Sequence, residues 1–530
     1  MDKKDYVIRR KRSYVGVDRL DQMVKKSYEK LPKQFKIAFI SAIIFGLIAH
    51  MYMFTNKLPN MDDLVGVDNF GVTFKNGRWF LWIVGAIAYH LNLVFSMPWM
   101  NGLITLLLLA CSAGIVAVLL NLKSSIANVI LGAALVTFPS WTATFFYMFT
   151  APYYALAVLM AVMSVFFTVK VKKGYFIAVP LLACSMGIYQ AYLPFTATLY
   201  VVLLFLLLFE ENKTYIDILK KSLFYLLNLV VGGIVYFALM RISLAITHQS
   251  LNTYKGLDSM GQFSLSRIPE IFESIFANFF GVFLNNNLEI SYNLITKGMY
   301  FVLFIVVFLL VIQLISNLCK KADYMKATET LVLFLVYILA INSIYIMCSE
   351  GIYALMYYSY VFMLIFPLAL LDRSFAQHGC NKKNCIMEWL VSFVLVCGIG
   401  SYCQYASAEY LSIELSFEQA KSYFTTMITQ IKSVDGYTDK CKIAFVGSDI
   451  QDSTLYRNDV MNRLAMSGRD ETLVEAYSRQ YFIKYYCGFE PEYTSVENLP
   501  KDKIEEMPVY PADGSIQRID DVVVVKLADK

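Results

Sequence analysis

Two adjacent acidic residues stand in a polar stretch of an otherwise apolar chain. Asp62 and Asp63 follow the first hydrophobic run, in the segment NKLPNMDDLVGVDNFGVTFKNGRWFLW, which also contains Asp68, Lys75 and Arg78. A carboxylate held where water is partly excluded has a raised pKa and can accept a proton from a sugar hydroxyl near neutral pH. Arg78 can offer a planar pair of donors to a phosphate. A base and a phosphate contact in one loop indicate acid/base chemistry on a lipid-phosphate substrate.

The two carboxylates are expected to differ in role. Adjacent residues cannot share one orientation on a helix or a strand, so one of Asp62 and Asp63 would point into a site. The other would hold a backbone group, a metal or a neighbouring base. The alternative is that both are ordinary solvated side chains of a loop. Two carboxylates could hold one Mg²⁺, but the ten cysteines show no CxxC and no Cys/His metal spacing. We therefore expect no required metal or other cofactor.

The composition is that of a protein with many membrane spans. Hydrophobic residues make up 58% of the 530 positions and charged residues 16%, whereas soluble domains carry about 25% charged residues. The mean hydropathy is +0.53. The formal net charge is +5, but the basic residues cluster at span ends and in the N-terminal segment rather than on one soluble face. The chain should lie in a lipid bilayer and have no nucleic-acid partner.

The apolar runs predict about eleven transmembrane helices, because a helix needs about 20 apolar residues to cross the hydrocarbon core. The runs are 36–54, 100–122, 125–139, 152–170, 174–192, 194–210, 222–246, 298–318, 328–348, 352–371 and 386–405. A further run, 79–95, is apolar enough to cross but contains His90 and Asn92. We interpret it as an interfacial or re-entrant helix, since the basic turns then all face one side.

The charge distribution predicts the orientation. Residues 1–36 contain 12 Lys and Arg against 5 acids and are not followed by a small-residue cleavage site. Residues 1–35 should therefore remain in the cytoplasm as a basic segment in front of a retained signal anchor. The protein would be a multi-pass protein of the plasma membrane, and the acidic pair would face outward.

Two regions follow the basic segment. Residues 36–405 would form a transmembrane domain with external loops 55–99 and 248–297, the second of which contains the amphipathic stretch IPEIFESIFANFFGVF. After residue 405 the composition becomes that of a soluble domain, with the strands CKIAFVG and VVVVKL. Residues 406–530 should form a small extracytoplasmic α/β domain.

Three elements resemble a known family. The acidic pair, the NGRW element at Asn76–Trp79 and the YQAYLPF element at Tyr189–Phe195 are similar to the Gtr-type glucosyltransferases of the glucosyl transferase GtrII family, in the GT-C superfamily. The resemblance covers roughly residues 36–405 and implies a GT-C-like helical membrane fold. It also implies transfer of a sugar, often glucose, from a polyprenyl-phosphate donor to a cell-envelope glycan acceptor on the outer face. Asp62 or Asp63 would be the base of an inverting single displacement.

Other polar side chains are candidates for binding the donor. Those that could contact its phosphate, all in or beside external loops, are Arg78, Arg241, His248 and Lys255. For each of them the alternative is a structural role, such as a cation that anchors a span end. Tyr189 and Gln190 lie near an outer helix end and could contact sugar hydroxyls. The alternative for Gln190 is hydrogen bonding between helices.

Two rival functions are compatible with the same chain. A flippase or transporter of a lipid-linked sugar would explain the many spans, but ion-coupled transporters carry ionisable groups at mid-membrane depth. Apart from Arg241 near one span end, the apolar runs contain almost none. A non-catalytic scaffold for envelope assembly would tolerate any change of the acidic pair.

Overall fold

The computed structural model of the protein describes residues 20–66, 71–91, 96–252, 268–284, 290–347, 352–378, 382–447 and 473–529. These residues form a mostly helical protein with a small sheet near the C-terminus. The helices are α1 (Leu20–Lys30), α2 (Lys33–Thr55), α3 (Met61–Val65), α4 (Trp79–His90), α5 (Pro98–Leu120), α6 (Ser125–Thr137), α7 (Pro139–Phe145), α8 (Ala151–Lys170), α9 (Tyr175–Ile188), α10 (Tyr192–Leu208), α11 (Tyr215–Thr247), α12 (Ile268–Leu284), α13 (Leu294–Lys320), α14 (Tyr324–Ile341), α15 (Ile344–Met347), α16 (Phe362–His378), α17 (Lys382–Ser433), α18 (Arg479–Cys487) and α19 (Lys501–Glu506). The strands are β1 (Lys442–Val446), β2 (Ile516–Ile519) and β3 (Val522–Lys526).

Nine helical segments among the described residues are long and apolar enough to span a membrane. They are Lys33–Thr55, Pro98–Leu120, Ser125–Phe145, Ala151–Lys170, Tyr215–Thr247, Leu294–Lys320, Tyr324–Ile341, Tyr358–Phe375 and Asn384–Ser433. The other two predicted spans correspond to the shorter helices α9 and α10, and the ambiguous run 79–95 contains the short helix α4. The predicted polytopic helical membrane fold is confirmed.

Small residues allow the first spans to pack closely. A Cβ atom at Gly132 of α6 would lie 2.3 Å from the carbonyl oxygen of Ala38 in α2. In the same contact, the Ser41 hydroxyl donates a hydrogen bond of 2.6 Å to the Val129 carbonyl. Glycine and short polar residues let membrane helices approach and hydrogen-bond across the interface. These contacts hold α2, which leads into the acidic pair, against the rest of the bundle.

Two polar contacts join turns at the ends of the membrane helices. The backbone nitrogen of Lys123, after α5, donates a hydrogen bond of 2.8 Å to the carboxylate of Asp372 in α16. Lys321, after α13, lies 2.7 Å from Glu211, which follows α10. This second pair is exposed, so it adds little stability, but it places the two turns on one side. The turn after α5 therefore lies beside α16, and the turn after α13 lies beside the turn after α10.

A single long helix connects the membrane bundle to the C-terminal domain. The predicted domain boundary at residue 406 falls inside α17, which continues without a break to Ser433. Near the other face of the bundle, Tyr410 of α17 lies 2.7 Å from the ring nitrogen Nδ1 of His50 in α2. Beyond that point the Phe417 ring of α17 packs against the Phe482 ring of α18, with centroids 5.6 Å apart. The domain is thus mounted on the helix that crosses the membrane.

The sheet of the C-terminal domain has the strand order β1–β3–β2. The central strand β3 is parallel to β1, with Ile443 opposite Val523, and antiparallel to β2. Val523, Val524 and Val525 are all fully buried, as expected for a central strand that is covered on both faces. The predicted strands CKIAFVG and VVVVKL are therefore neighbours in one α/β domain.

One contact relates the two ends of the chain to the membrane. The Tyr477 hydroxyl donates a hydrogen bond of 2.6 Å to Asp62, so the C-terminal domain and the acidic pair lie on the same face. An even number of crossings must separate them. The eight long spans after α2 supply an even number of crossings, so either none or two of the short helices α4, α9 and α10 cross as well. If α9 and α10 cross, as the sequence predicts, α4 does not. The interfacial interpretation of 79–95 stays a prediction.

We predict that cysteines introduced at Lys75 and Lys440, two exposed positions, will react with an impermeant thiol reagent from the same side of the membrane. A cysteine at Lys172, in the turn after α8, should react only from the opposite side. The parent protein, with its native cysteines, provides the background labelling. Reaction of positions 75 and 440 from opposite sides would require α4 to cross.

Candidate active site

The acidic pair lies on the short helix α3, just after the first span. Asn60 caps this helix, since its side-chain oxygen accepts a hydrogen bond of 2.8 Å from the backbone nitrogen of Asp63. Successive residues of a helix point about 100° apart. The two carboxylates consequently diverge: Asp63 is 1% exposed, whereas Asp62 is exposed.

The buried carboxylate of Asp63 is surrounded by donors. Lys57 forms an ion pair with it, the Ser96 hydroxyl lies 2.7 Å from both of its oxygens, and the Phe149 backbone nitrogen donates a hydrogen bond of 3.0 Å. A buried charge is tolerated when it is paired and hydrogen-bonded in this way. Asp63 therefore joins three separate segments and has a positioning role.

The exposed carboxylate of Asp62 faces the C-terminal domain. The Tyr477 hydroxyl donates a hydrogen bond of 2.6 Å to it. Nearby, Tyr486 of α18 approaches Asp63, and burial, with a smaller effect of the Asp63 charge, raises the pKa of Tyr486. Tyr486 thus stays neutral at physiological pH. Of the two carboxylates, Asp62 is the one that a ligand can reach.

The NGRW and YQAYLPF elements contact each other. The side-chain nitrogen of Gln190 donates hydrogen bonds of 2.7 Å to the Asn76 carbonyl and 2.9 Å to the Tyr236 hydroxyl. Gly77, the residue after Asn76, has a left-handed φ of 70°. A Cβ atom there would lie 2.7 Å from the Tyr236 hydroxyl oxygen, so this position requires glycine. The turn sets the position of Arg78, the next residue.

Arg78 lies over a pair of tyrosine rings. Its guanidinium carbon is 5.2 Å from the Tyr189 ring centroid and 5.9 Å from that of Tyr154, and the two rings stack with centroids 4.5 Å apart. These distances are typical of cation–π contacts.

The hydrogen-bonding capacity of Arg78 is incompletely used. Its Nε atom is buried and has no hydrogen-bond partner among the described residues, and no described carboxylate forms an ion pair with it. A buried donor without a partner costs about 1–3 kcal/mol. A bound anion would relieve this cost, and a phosphate matches the planar donor geometry of the guanidinium.

Both parts of the site rest on one stretch of chain. Phe149, whose backbone nitrogen binds Asp63, is five residues before Tyr154, whose ring lies under Arg78. The Phe149 ring also packs on α3: a Cβ atom at Gly66 would lie 2.6 Å from it. The start of α8 therefore positions the acidic pair and the arginine relative to each other.

A family model of known proteins covers this region. The model for glucosyl transferase GtrII matches residues 51–366, more than half of the chain. The chain belongs to the glucosyl transferase GtrII family. It is therefore a glycosyltransferase of the membrane, with a sugar donor, an acceptor and a lipid bilayer as partners. No curated protein and no solved structure matches the chain.

The GtrII match contains both parts of the site. Asp63, Arg78 and Gln190 all fall within residues 51–366, whereas Tyr477 lies beyond it. The predicted resemblance to this family, which rested on the acidic pair and two short elements, is confirmed. The contact between Tyr477 and Asp62 joins the region that the family model matches to a domain that it does not match.

The other predicted site residues are placed differently. Tyr189 and Gln190 lie in the group of residues around Arg78, here called the Arg78 cluster, which also contains Tyr154 and Tyr236. Gln190 donates its hydrogen bonds to the Asn76 carbonyl and the Tyr236 hydroxyl. Arg241 is an exposed residue of α11, and His248 is the exposed C-terminal cap of that helix. No hydrogen bond or ion pair within the described ranges links either of them to Arg78. Lys255 lies outside the described residues.

Several residues of the site were not predicted from the sequence. They are Lys57, Ser96, Tyr154, Tyr236 and Tyr477. Lys57 lies six residues before Asp63 in the same polar segment, and this spacing was the available signal. The three tyrosines come from distant parts of the chain, and no sequence pattern indicated their part in the site.

Metal binding stays untested by this arrangement. Within the described ranges there is no group of three or more His, Cys, Asp or Glu side chains that could hold a metal ion. The cation beside Asp63 is instead the ammonium group of Lys57. Transfer without a required metal remains a prediction.

We predict that Asp63→Asn destabilises the protein by about 1–3 kcal/mol, because it leaves Lys57 and the surrounding donors without their charged partner. The apparent Tm in detergent should fall. It is measured by heating samples and following the remaining folded protein by size-exclusion chromatography. Asp62→Asn is the matched control, since Asp62 is exposed, and should keep the native Tm. Equal Tm values for both variants would contradict the positioning role of Asp63.

Proposed function

We propose that the protein moves a sugar, with glucose as the first candidate, from a polyprenyl-phosphate donor to a cell-envelope glycan on the outer face of the membrane. Membership of the GtrII family supports glucosyl transfer. The observation that carries the donor assignment is Arg78, a cation held over two tyrosine rings with a buried donor lacking a partner among the described residues. Such a group is suited to a charged phosphate, because two of the phosphate oxygens can accept parallel hydrogen bonds from the planar guanidinium.

Asp62 would act as the general base. In the proposed step it takes the proton of an acceptor hydroxyl while the hydroxyl oxygen forms a bond to the anomeric carbon of the donor sugar. The bond between that carbon and the phosphate oxygen breaks, and polyprenyl phosphate leaves with the electron pair. One displacement inverts the anomeric centre. Asp63 is less suited to this role, because Lys57, Ser96 and the Phe149 amide already bind its carboxylate.

Arg78 would stabilise the leaving phosphate. Negative charge develops on the phosphate oxygens as the sugar departs, and a preorganised cation in a site with little water stabilises that charge strongly. The Gln190 and Tyr236 contacts hold the preceding turn, so Arg78 does not have to reorganise during the reaction. The stacked rings of Tyr189 and Tyr154 contact the guanidinium group and help to hold its orientation.

The surface next to Arg78 suits a lipid-linked donor. Helix α4 begins immediately after Arg78 and exposes Trp82, Ile83 and Ile87. A helix at the interface with exposed apolar residues can lie beside lipid chains. A polyprenyl chain in the bilayer could therefore run along α4 while its phosphate reaches Arg78.

The outer-face assignment follows from charge. Residues 1–36 are strongly basic, and basic segments stay in the cytoplasm. One observation favours the opposite orientation: Cys385, at the start of α17, is disulfide-bonded, and disulfides persist in oxidising compartments. We give the charge asymmetry more weight because it extends over many residues. Labelling of the Lys75 cysteine variant in intact cells distinguishes the two orientations.

We predict that Asp62→Asn lowers sugar transfer by about 10²–10⁴-fold, the usual contribution of a general base. The assay is transfer of radiolabelled glucose from synthetic polyprenyl-phosphate-glucose to envelope glycan by the purified protein in vesicles. Asp435→Asn, which removes an exposed carboxylate just after the end of α17, should leave the rate unchanged. EDTA should leave it unchanged as well.

Full activity of Asp62→Asn would exclude Asp62 as the base. Movement of the carrier across the vesicle membrane without transfer by the native protein would instead favour the flippase alternative.

We predict that Arg78→Lys lowers kcat/KM for the donor by roughly 10–100-fold, the value of a hydrogen bond or two to a charged group. Lysine keeps the charge but cannot offer the planar donor pair or stack on the tyrosines. Arg241→Lys is the matched control and should change kcat/KM less than twofold. A larger loss for Arg241→Lys than for Arg78→Lys would move the phosphate contact to α11.

A further inference from the structure

One turn of the C-terminal domain both contacts Asp62 and lines a cavity. The turn precedes α18 and is held by hydrogen bonds from the Arg479 backbone nitrogen to the Glu475 carbonyl at 2.9 Å and from the Glu475 backbone nitrogen to the Ser478 hydroxyl oxygen at 3.0 Å. Tyr477 of this turn donates to Asp62. Its neighbours Ala476 and Arg479 line the cavity. The cavity and the proposed base are therefore joined by a short, well-bonded segment.

The cavity is small and mainly polar. It has a volume of about 140 Å³ and is lined by Ile443, Phe445, Ala476, Arg479, Gln480, Tyr493 and Thr494. Pockets that enclose drug-sized ligands measure roughly 300–1,000 Å³, so this one suits a single saccharide unit rather than a lipid chain. Ala476 and Gln480 are exposed, which leaves its mouth open.

The lining groups match the chemistry of a sugar. Arg479 is 4% exposed, and its guanidinium lies over the Phe445 ring at 4.7 Å from the centroid. The hydroxyl of Tyr493 is buried and has no hydrogen-bond partner among the described residues. Gln480 adds an amide and Thr494 a second hydroxyl. Donors and acceptors of this kind beside aromatic rings can bind vicinal sugar hydroxyls, and such a ligand would satisfy the Tyr493 hydroxyl.

We propose that this cavity is the subsite that holds one saccharide unit of the acceptor glycan, next to the unit whose hydroxyl reacts at Asp62. This assignment rests on the proposed role of Asp62 as the base. The Tyr477 hydroxyl marks the place of the reacting group, because it donates to the carboxylate as an acceptor hydroxyl must do before it loses its proton. The acceptor takes the place of Tyr477 at Asp62 while its neighbouring unit occupies the cavity.

The position of the cavity assigns acceptor choice to the C-terminal domain. The GtrII family model ends at residue 366, so the Arg78 cluster lies inside the matched region and the cavity lies outside it. Donor binding and acceptor selection are thereby carried by different parts of the chain. The contact between Tyr477 and Asp62 brings the two parts together.

The test uses the full-length protein and two kinds of variant. The double variant Gln480→Ala/Thr494→Ala removes polar groups from the cavity, and Ala476→Trp fills its mouth. Gln517→Ala changes an exposed glutamine of the same domain and is the matched control. Purified proteins in nanodiscs are applied to an array of envelope oligosaccharides. Both cavity variants should bind the recognised glycan about tenfold more weakly, as expected for the loss of two ordinary hydrogen bonds or for blocked access.

Kinetics separate this proposal from the proposed function. The cavity variants should raise the KM for the acceptor about tenfold while release of glucose from polyprenyl-phosphate-glucose into water, measured without acceptor, stays as in the native protein. A native protein that neither transfers nor releases glucose would overturn the donor assignment but leave the array result standing. Absence of glycan binding by the native protein, or equal binding by all variants, would overturn the subsite.

Discussion

The buried carboxylate of Asp63 is the constraint on which the rest of the site depends. It draws together the end of the first span through Lys57, the approach to α5 through Ser96 and the approach to α8 through the Phe149 amide. A buried charge that is bound by three segments resists displacement, because moving any of them leaves an uncompensated group. The direction of Asp62 is set by this anchor, since it is the preceding residue on the same short helix.

The same anchor determines what lies around the arginine. Helix α8 begins just after Phe149, so fixing that amide also fixes Tyr154. Tyr154 stacks on Tyr189, and the pair supports Arg78. A membrane protein has few polar contacts to define a unique arrangement, and here a small number of them position both Asp62 and Arg78. The tyrosines add rigidity without adding charge.

The sequence predicts the fold better than the site. Spans follow from length and hydrophobicity, and the different directions of Asp62 and Asp63 follow from their adjacent positions. The sequence indicates how deep a residue lies in the membrane, but it does not show which side of a helix faces the site. Arg241 lies one residue after Met240, whose sulfur would be 3.1 Å from a Cβ atom at Gly77, and this rotation of about 100° leaves the arginine exposed. Tyr477 is 415 residues from Asp62, and no local pattern reports such a contact. The change of composition at residue 406 suggested a domain boundary, although the helix continues through it.

The unbroken helix α17 connects the C-terminal domain directly to the membrane-spanning part of the protein. At 52 residues it would measure about 78 Å if straight, and it carries α18 on its distal part through aromatic packing. The height and the rotational phase of the domain are therefore encoded in the number of residues in the helix. One inserted residue between Tyr410 and Phe417 would turn the domain by about 100° and lift it by about 1.5 Å. We expect this helix to tolerate substitutions more readily than changes of length, because its length keeps Tyr477 of the domain in contact with Asp62.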